Sequence, residues 1–456
     1  METAALPVPA QVEPPVAAVS GLTGMRRLVT RTASFAGLQG LFQLCGFASG
    51  LLLVNLLPKS EYALVTVALS MLGAMHVLCD LGITVAVMSI GGRVYRDGKR
   101  FGSLIGTALR MRWRLALVVT PVLIVLLVFL LRHTQTGWLE IAAITGVLLL
   151  CLSCELANVI YGDVVVLRGL VRRFQLIDLV AALSRLAAIG LFVVGGVLSA
   201  LTALVAAWIG LLVRFWQLRR TATGEVDLTA PEVAEDRHEM RRIMRLQAPN
   251  ALFYCIQGQI AIWILGFFAG QDQVADFGAL GRFMAITAFL TAFLSAVLVP
   301  GFTWLQETAA LRRRYAAIVG GMLLIALGIS LMAWAIPGPL LWILGRQYHH
   351  LTAELPLMVV SMLFGFLVNV VWSLNASKAW ITVSSWFNIP LTLAAQIGLA
   401  CVLDLTTVHG AIWFTIGCQV PNAVLCLIDS WRGLRAGGTD RQTPALPTTH
   451  VDERVV

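Results

Sequence analysis

Apolar residues along this chain occur in about twelve runs, each long enough to cross a lipid bilayer as an α-helix. About six runs lie before residue 217 and about six lie after residue 248. Between the two blocks, residues 218–247 are rich in charged residues and include Pro231. The pattern predicts an all-α polytopic membrane protein with about twelve transmembrane helices in two six-helix bundles.

The predicted helices have approximate bounds that can be read from the apolar runs. They cover residues 34–57, 62–90, a segment ending near 131, 138–161, 176–194, 198–215, 249–269, 277–299, 315–336, 355–374, 380–403 and 410–428. The corresponding domains are a disordered cytoplasmic tail (1–33), an N-terminal bundle (34–217), a cytoplasmic linker (218–247), a C-terminal bundle (248–430) and a second disordered cytoplasmic tail (431–456).

Composition excludes a soluble fold. The chain is 58% hydrophobic, its mean hydropathy is +0.84 and only 12% of its residues are charged, whereas soluble domains carry about 25%. The net charge of +9 does not indicate a nucleic-acid partner, because the basic residues lie at the ends of apolar runs.

The basic residues fall on one side of the predicted membrane. Loops on that side hold Arg26, Arg27, Arg31, Arg93, Arg96, Lys99, Arg100, Arg168, Arg172, Arg173, Arg312, Arg313, Arg314, Lys378, Arg432 and Arg435. The other side holds only Lys59, Arg132 and Arg346. By the positive-inside rule, both termini and the linker are expected in the cytoplasm.

Motifs of enzymes and metal sites are missing from the sequence. There is no P-loop, no H-E-x-x-H and no G-x-S-x-G. Cys151 and Cys154 form a C-x-x-C inside an apolar run, and no second pair accompanies it. We therefore expect a protein that is not an enzyme and has no cofactor and no metal site.

Several carboxylates lie inside the predicted helices, where an unpaired charge is costly. Asp80 lies in the second helix, with His76 one turn before it. Glu155 lies in the fourth helix and Asp178 in the fifth. All three carboxylates are candidates for coupling to an ion gradient. The alternative for Asp80 is a buried His–Asp hydrogen bond that fixes helix packing.

Two intramembrane arginines are candidates for an anion site. Arg185 lies in the fifth helix and Arg282 in the eighth. A guanidinium group matches phosphate oxygens through two parallel hydrogen bonds. The alternatives are an ion pair of Arg185 with Glu155 or Asp178, and an Arg282 side chain that reaches the headgroups.

Neutral polar residues are candidates for binding a glycan. Asn250, Tyr254 and Gln257 recur at helical spacing in the seventh helix, and Asn369 lies in the tenth. Amide and hydroxyl groups that line a cavity would suit a sugar, although some could be interhelical hydrogen bonds.

Local motifs in a fixed order strengthen the case for a transporter. They are Gly40, Gln43 and Gly46; Leu57-Pro58-Lys59-Ser60-Glu61-Tyr62-Ala63; Cys79-Asp80-Leu81-Gly82-Ile83; Phe277-Gly278-Ala279; Leu298-Val299-Pro300-Gly301; Leu344-Gly345-Arg346-Gln347-Tyr348; and Leu374-Asn375-Ala376-Ser377-Lys378. On about twelve helices, this order resembles the polysaccharide flippases (O-antigen, capsule and exopolysaccharide transporters) of the multidrug/oligosaccharidyl-lipid/polysaccharide exporter superfamily.

The resemblance implies a flippase of the cytoplasmic (inner) membrane that moves a polyprenyl-diphosphate-linked oligosaccharide by alternating access. It also implies a cationic central cavity between the two bundles, with arginines on the diphosphate, amides on the glycan and the lipid tail in the bilayer. Membrane lipids, a polysaccharide polymerase and glycosyltransferases would be its partners.

Three other functions stay open at this point. A cation-coupled multidrug exporter of the same superfamily would favour an acidic cavity, so the sign of the cavity charge discriminates. A polytopic glycan-processing enzyme would need a catalytic dyad at the external face. A sugar transporter with six helices in each half fits the helix count alone.

Overall fold

The structure is a computed structural model of the chain, and it describes residues 22–133, 136–228, 231–299, 302, 308–378, 380–381 and 383–435. These residues form helices joined by turns and short irregular segments, and no strand occurs among them. Most of both predicted tails and the motif residues Pro300 and Gly301 lie outside the described residues. Residues 22–33 and 431–435, which were assigned to the tails, are helical.

The N-terminal half contains seven helices among its described residues. They are α1 (Leu22–Leu56), α2 (Lys59–Asp80), α3 (Ile83–Val94), α4 (Gly98–His133), α5 (Trp138–Leu167), α6 (Val171–Val194) and α7 (Ala200–Thr223). The predicted second helix is thus interrupted. Leu81 and Gly82 have φ angles of 39° and 90°, a left-handed conformation that ends α2 and that glycine adopts without strain.

The C-terminal half begins with the long helix α8. Its helices are α8 (Ala234–Phe268), α9 (Gln271–Leu280), a 3₁₀ turn (Gly281–Phe283), α10 (Met284–Phe293), a π-helical segment (Leu294–Leu298), α11 (Thr308–Ala335), α12 (Pro337–Leu344), a 3₁₀ turn (Arg346–Tyr348), α13 (Glu354–Ser377), α14 (Val383–Val402) and α15 (Val408–Arg435). In the described part of the chain, twelve helical stretches are long and apolar enough to cross a membrane. The predicted fold class is therefore confirmed.

Helix α8 occupies much of the segment that was predicted to be a linker. Only residues 224–233 separate the end of α7 from the start of α8. Two ion pairs hold the start of α8 against the N-terminal half: Arg93 with Glu239 at 2.5 Å and Arg100 with Asp236 at 3.0 Å. Acidic residues in the first turn are also favourable at the positive end of the helix dipole. The same helix goes on to pack in the C-terminal half.

The packing differs between the two ends of the molecule. We call the end that carries Lys59, Asp276 and Arg346 the arginine-poor end, and the opposite end the arginine-rich end. One buried apolar cluster at the arginine-poor end combines both halves, including Leu57 and Tyr62 with Val274, Leu344 and Tyr348.

At the arginine-rich end, the apolar clusters are separate. One contains Phe101 and Leu104 of the N-terminal half together with Met240 of α8. The other contains Tyr315, Val370 and Leu374 of the C-terminal half. The two halves are thus packed together at the arginine-poor end. At the arginine-rich end, apart from the start of α8, which packs with the N-terminal half, each half has its own core.

Candidate substrate cavity

A cavity of about 700 Å³ lies between α2 of the N-terminal half and α8, α9, α10, α13 and α15 of the C-terminal half. Its polar lining residues are Thr66, Ser70, Tyr254, Gln257, Gln259, Arg282, Thr287, Thr291, Ser361, Asn369, Thr415 and Gln419. Among the described residues, Arg282 is the single lining residue with a permanent charge, and no carboxylate lines the cavity. The described lining of the cavity therefore consists of apolar groups, uncharged polar groups and one cationic group.

Four of the predicted binding residues meet in this cavity. Tyr254, Gln257, Arg282 and Asn369 all line it. The hydroxyl oxygen of Tyr254 accepts a hydrogen bond of 2.7 Å from the side-chain amide of Asn388, which fixes the ring on α8 against α14. Asn250, although on the same helical face, is exposed one turn nearer the arginine-rich end and does not line the cavity.

Arg282 points between the two halves and not toward the headgroups. Its Nε atom donates a hydrogen bond of 2.8 Å to the hydroxyl of Tyr62, and its guanidinium carbon lies 5.5 Å from the centre of that ring. A Cβ atom on Gly50 would lie 2.9 Å from Cδ of Arg282, so the bare glycine on α1 makes room for the side chain. The cavity interpretation is favoured over the alternative in which Arg282 reaches the lipid surface.

Arg185 lies outside the cavity lining, deep in the N-terminal half. It packs against α7 at Gly210, whose added Cβ atom would be 3.0 Å from Cβ of Arg185. Its Nε atom is buried and has no hydrogen-bond partner, and its charge repels that of Arg282. The alternative ion pair of Arg185 with Asp178 or Glu155 is not formed, because Asp178 pairs with Arg214 at 2.7 Å and Glu155 faces His76 at 3.7 Å.

The coupling candidates form a charged network inside the N-terminal half. Asp80 lies 3.6 Å from the fully buried Arg112, and its Oδ1 atom also accepts hydrogen bonds from the backbone and hydroxyl of Thr84. His76 lies 3.7 Å from Glu155. The alternative His76–Asp80 hydrogen bond is therefore not formed. Asp80 pairs with Arg112, and His76 faces Glu155.

Polar contacts between the halves close the cavity at the arginine-poor end. Asp276 is buried and lies 2.8 Å from Lys59 Nζ and 2.8 Å from His350 Nε2. Gln347 donates to the carbonyl of Val54 at 2.7 Å, and Asn55 donates to the carbonyl of Ile343 at 2.9 Å. We call these contacts the closing contacts.

A groove between α1 and α10 opens from the cavity to the side. It is lined by Gln43, Met284, Ala285, Thr287, Ala288, Thr291, Ala292 and Ser295. Met284, Thr287 and Thr291 also line the cavity. The cavity and the groove are therefore adjacent. Most side chains that line the groove are alanine, threonine or serine, and their small size leaves space between α1 and α10.

Comparison with known proteins identifies the fold. The sequence matches no family model and no curated protein. An inward-facing structure of a multidrug resistance MATE family transporter of the MOP superfamily is 16% identical, with 87% of this chain and 95% of that chain covered and a TM-score of 0.66. An outward-facing structure of such a transporter is 14% identical, with 91% and 96% covered and a TM-score of 0.59.

A third similar structure differs in the character of its pocket. It is a MOP superfamily transporter from Pyrococcus furiosus, described as having a binding pocket of reverse polarity that suggests a different function. It is 15% identical, with 91% of this chain and 96% of that chain covered and a TM-score of 0.60.

These likenesses define the class of protein: a multi-pass membrane protein with a transporter fold. More particularly, the fold is a MATE-like transporter fold. The structural neighbours are transporters and not enzymes.

Proposed function

We propose that this protein is a flippase that translocates a polyprenyl-diphosphate-linked oligosaccharide across the cytoplasmic membrane for surface polysaccharide biosynthesis. The observation that carries the proposal is the charge of the cavity, whose single lining charge among the described residues is the guanidinium of Arg282. A diphosphate needs such a donor, and a neutral glycan needs amides and hydroxyls of the kind that Gln257, Asn369 and Gln419 supply.

The shape of the site supports a lipid-linked substrate. The groove between α1 and α10 adjoins the cavity close to Thr287 and Thr291, so a lipid tail could stay in the bilayer while the head group occupies the cavity. Arg185 supplies a second buried cation behind the first, and its charge raises the positive potential felt by an anion at Arg282.

The direction of transport follows from the charge asymmetry of the loops. With the arginine-rich end in the cytoplasm, the separate cores at that end and the closing contacts at the other end describe an inward-facing state. The substrate would enter from the cytoplasmic leaflet, where glycosyltransferases complete it, and a polymerase would take it over outside. Both termini would be cytoplasmic.

A cation-coupled multidrug exporter is the second candidate, and the MATE neighbours favour it. Such an exporter binds organic cations best where carboxylates line the pocket. Here the described lining contains none, so we rank the flippase first.

Export of lipid-linked glycan, measured in cells that lack their own flippase, tests the proposal. Arg282→Gln removes the charged donor, which costs about 1.5–3 kcal/mol, so we expect export to fall about 10- to 100-fold. Arg346→Gln, at an exposed arginine of the same end, is the matched control and should export normally. Normal glycan export by Arg282→Gln, or efflux of cationic dyes that persists in both variants, would favour the multidrug exporter.

A further inference from the structure

A crevice between α4 and α5 opens on the outer surface of the N-terminal half. Its volume is about 280 Å³, and none of its lining residues lines the substrate cavity or the groove between α1 and α10. Apolar side chains on this surface of α4 are strongly exposed, including Leu117 at 75% and Val118 at 71%. In a chain of this composition, such a surface faces lipid. We call this space the lipid-facing crevice.

One stripe of α4 forms the first wall of the crevice. It carries Trp113, Ala116, Leu117, Thr120 and Pro121, which recur at helical spacing over a length of about 12 Å. Pro121 lies inside the helix, so the carbonyl of Leu117 loses its usual helical donor, and a proline at such a position kinks a helix. The space beside α4 therefore has a cause in the backbone.

A stripe of α5 forms the facing wall. It consists of Leu149, Leu152, Ser153 and Leu156. The hydroxyl of Ser153 is used within α5, because it donates to the carbonyl of Leu150 at 2.7 Å. The hydroxyl of Thr120 on the opposite wall is buried without a partner, and in a helix such a hydroxyl can turn to the carbonyl four residues before it. The crevice is therefore an apolar slot.

Unbalanced positive charge lies at the mouth of this slot that is nearer the arginine-rich end. Arg110 is one turn before Trp113 on the same stripe, and Arg114 is exposed next to Trp113. Arg114 has no partner in the described part of the chain. Arg110 lies 3.7 Å from Glu232, which is also 3.7 Å from Arg237. Three guanidinium groups thus share one carboxylate.

We propose that the lipid-facing crevice binds an acidic phospholipid of the membrane leaflet at the arginine-rich end. One acyl chain lies in the slot, and the phosphate lies at Arg114 and Arg110, because guanidinium groups bind phosphate oxygens through paired hydrogen bonds. The indole of Trp113 lies between them, at the level of the membrane where tryptophans are enriched. This inference does not depend on which substrate the cavity transports.

Other occupants fit the crevice less well. A helix of a partner protein is about 10 Å across with its side chains, so a stretch as long as the crevice would need several times its volume. A zwitterionic phospholipid could fill the slot, but Arg114 would repel its ammonium group. The charge at the mouth therefore favours a lipid with a net negative head group.

Quenching of Trp113 fluorescence by lipids with brominated acyl chains measures the binding. The full-length protein is reconstituted into phosphatidylcholine liposomes in which brominated phosphatidylglycerol or brominated phosphatidylcholine replaces increasing fractions of the lipid. The contribution of Trp113 is the difference between the wild type and Trp113→Phe. Half-quenching of this contribution should need an about 2- to 5-fold lower fraction of the phosphatidylglycerol, the preference expected of exposed ion pairs. Equal fractions for the two lipids would overturn the proposal.

Two pairs of variants locate the preference. Arg114→Gln should lose it, whereas Arg172→Gln, at an exposed arginine of α6, which does not line the crevice, should keep it. Ser153→Phe should fill the slot and lose the preference, whereas Ser153→Ala should keep it. A preference that survives in both Arg114→Gln and Ser153→Phe would overturn the site. So would a preference that Arg172→Gln reduces as much as Arg114→Gln does, because attraction to the whole basic surface would then explain it.

Discussion

The Nε atom of Arg282 lies 2.8 Å from the hydroxyl oxygen of Tyr62, and the two residues belong to different halves of the molecule. The side chain that supplies the charge of the cavity therefore also joins the halves at the arginine-poor end. An anion that draws the guanidinium away from Tyr62 would weaken that junction. In the proposed transport cycle, substrate binding and opening toward the arginine-poor end would thus be linked through one side chain.

Tyr62→Phe should open the arginine-poor end more often, because it removes a hydrogen bond to a charged group worth about 1.5–3 kcal/mol. Distances between spin labels at His133 and Arg346, which are exposed on opposite halves of this end, would report the shift as a larger population at long distance. Tyr95→Phe removes a comparable contact with Arg96, of 3.2 Å, within a single segment. That control should leave the distances unchanged.

Asp276→Asn should weaken the closing contacts, because the carboxylate is buried between Lys59 and His350. Loss of a buried partner costs up to about 3–5 kcal/mol, and less where the remaining charge can reach water. The same spin-label pair should show more of the open state. Asp272→Asn, an exposed position on the same helix, is the control, and an equal effect of both variants would rule out a specific role for Asp276.

Arg112→Gln should destabilise the N-terminal half. The guanidinium is fully buried, faces Asp80 and donates to the carbonyl of Leu156 at 3.2 Å. Removing it leaves carboxylates without a counter-charge, at a cost of about 3–5 kcal/mol. Thermal unfolding of the purified protein should shift to a lower temperature. Arg114→Gln, two residues later and exposed, should unfold like the wild type.

Asp429→Asn should loosen the start of α14. The buried carboxylate accepts hydrogen bonds from the backbone amides of Val383 and Ser384, each of 2.9 Å, and one of 2.6 Å from the Ser384 hydroxyl. An asparagine amide cannot accept through its nitrogen, so at least one donor is left unpaired, at a cost of about 1–3 kcal/mol. Faster hydrogen exchange at residues 383–384 would show the effect.

The control for that variant is Asp404→Asn. Asp404 also accepts from the backbone and hydroxyl of one residue, Thr406, and these bonds hold the pKa of Asp404 below its ordinary value. Because Asp404 is exposed to solvent, its substitution should leave exchange at the start of α14 unchanged. If Asp404→Asn and Asp429→Asn change hydrogen exchange at the start of α14 to the same extent, the burial of Asp429 does not explain the effect.

Hydropathy was sufficient to predict the twelve spans, because a bilayer requires helices of nearly constant length. It could not predict the break after Asp80. The run 62–90 is continuously apolar, and only the backbone angles of Leu81 and Gly82 divide it. The charged stretch 218–247 was similarly taken for a linker, although its charges form ion pairs with the neighbouring half.

The partners of buried charges depend on how neighbouring helices are rotated, which one sequence does not reveal. Asp178 and Arg185 share a helical face, yet Asp178 pairs with Arg214, 36 residues away. In the sequence, Arg112 stands between Arg110 and Arg114, a basic row of the kind that marks a membrane boundary. Because α4 begins at Gly98, Arg112 lies about four turns inside a helix.

The continuity of α8 has a consequence for dividing the protein into fragments. Its first turns carry Asp236 and Glu239, which are bound to the N-terminal half, while Tyr254 and Gln257 face the cavity. A version made as two polypeptides would have to be cut within residues 224–233, and the second polypeptide would need the whole of α8. When the two polypeptides are co-expressed, they should reassemble through the contacts of α8 with the N-terminal half. A cut near Pro249 would instead divide α8 between the two polypeptides.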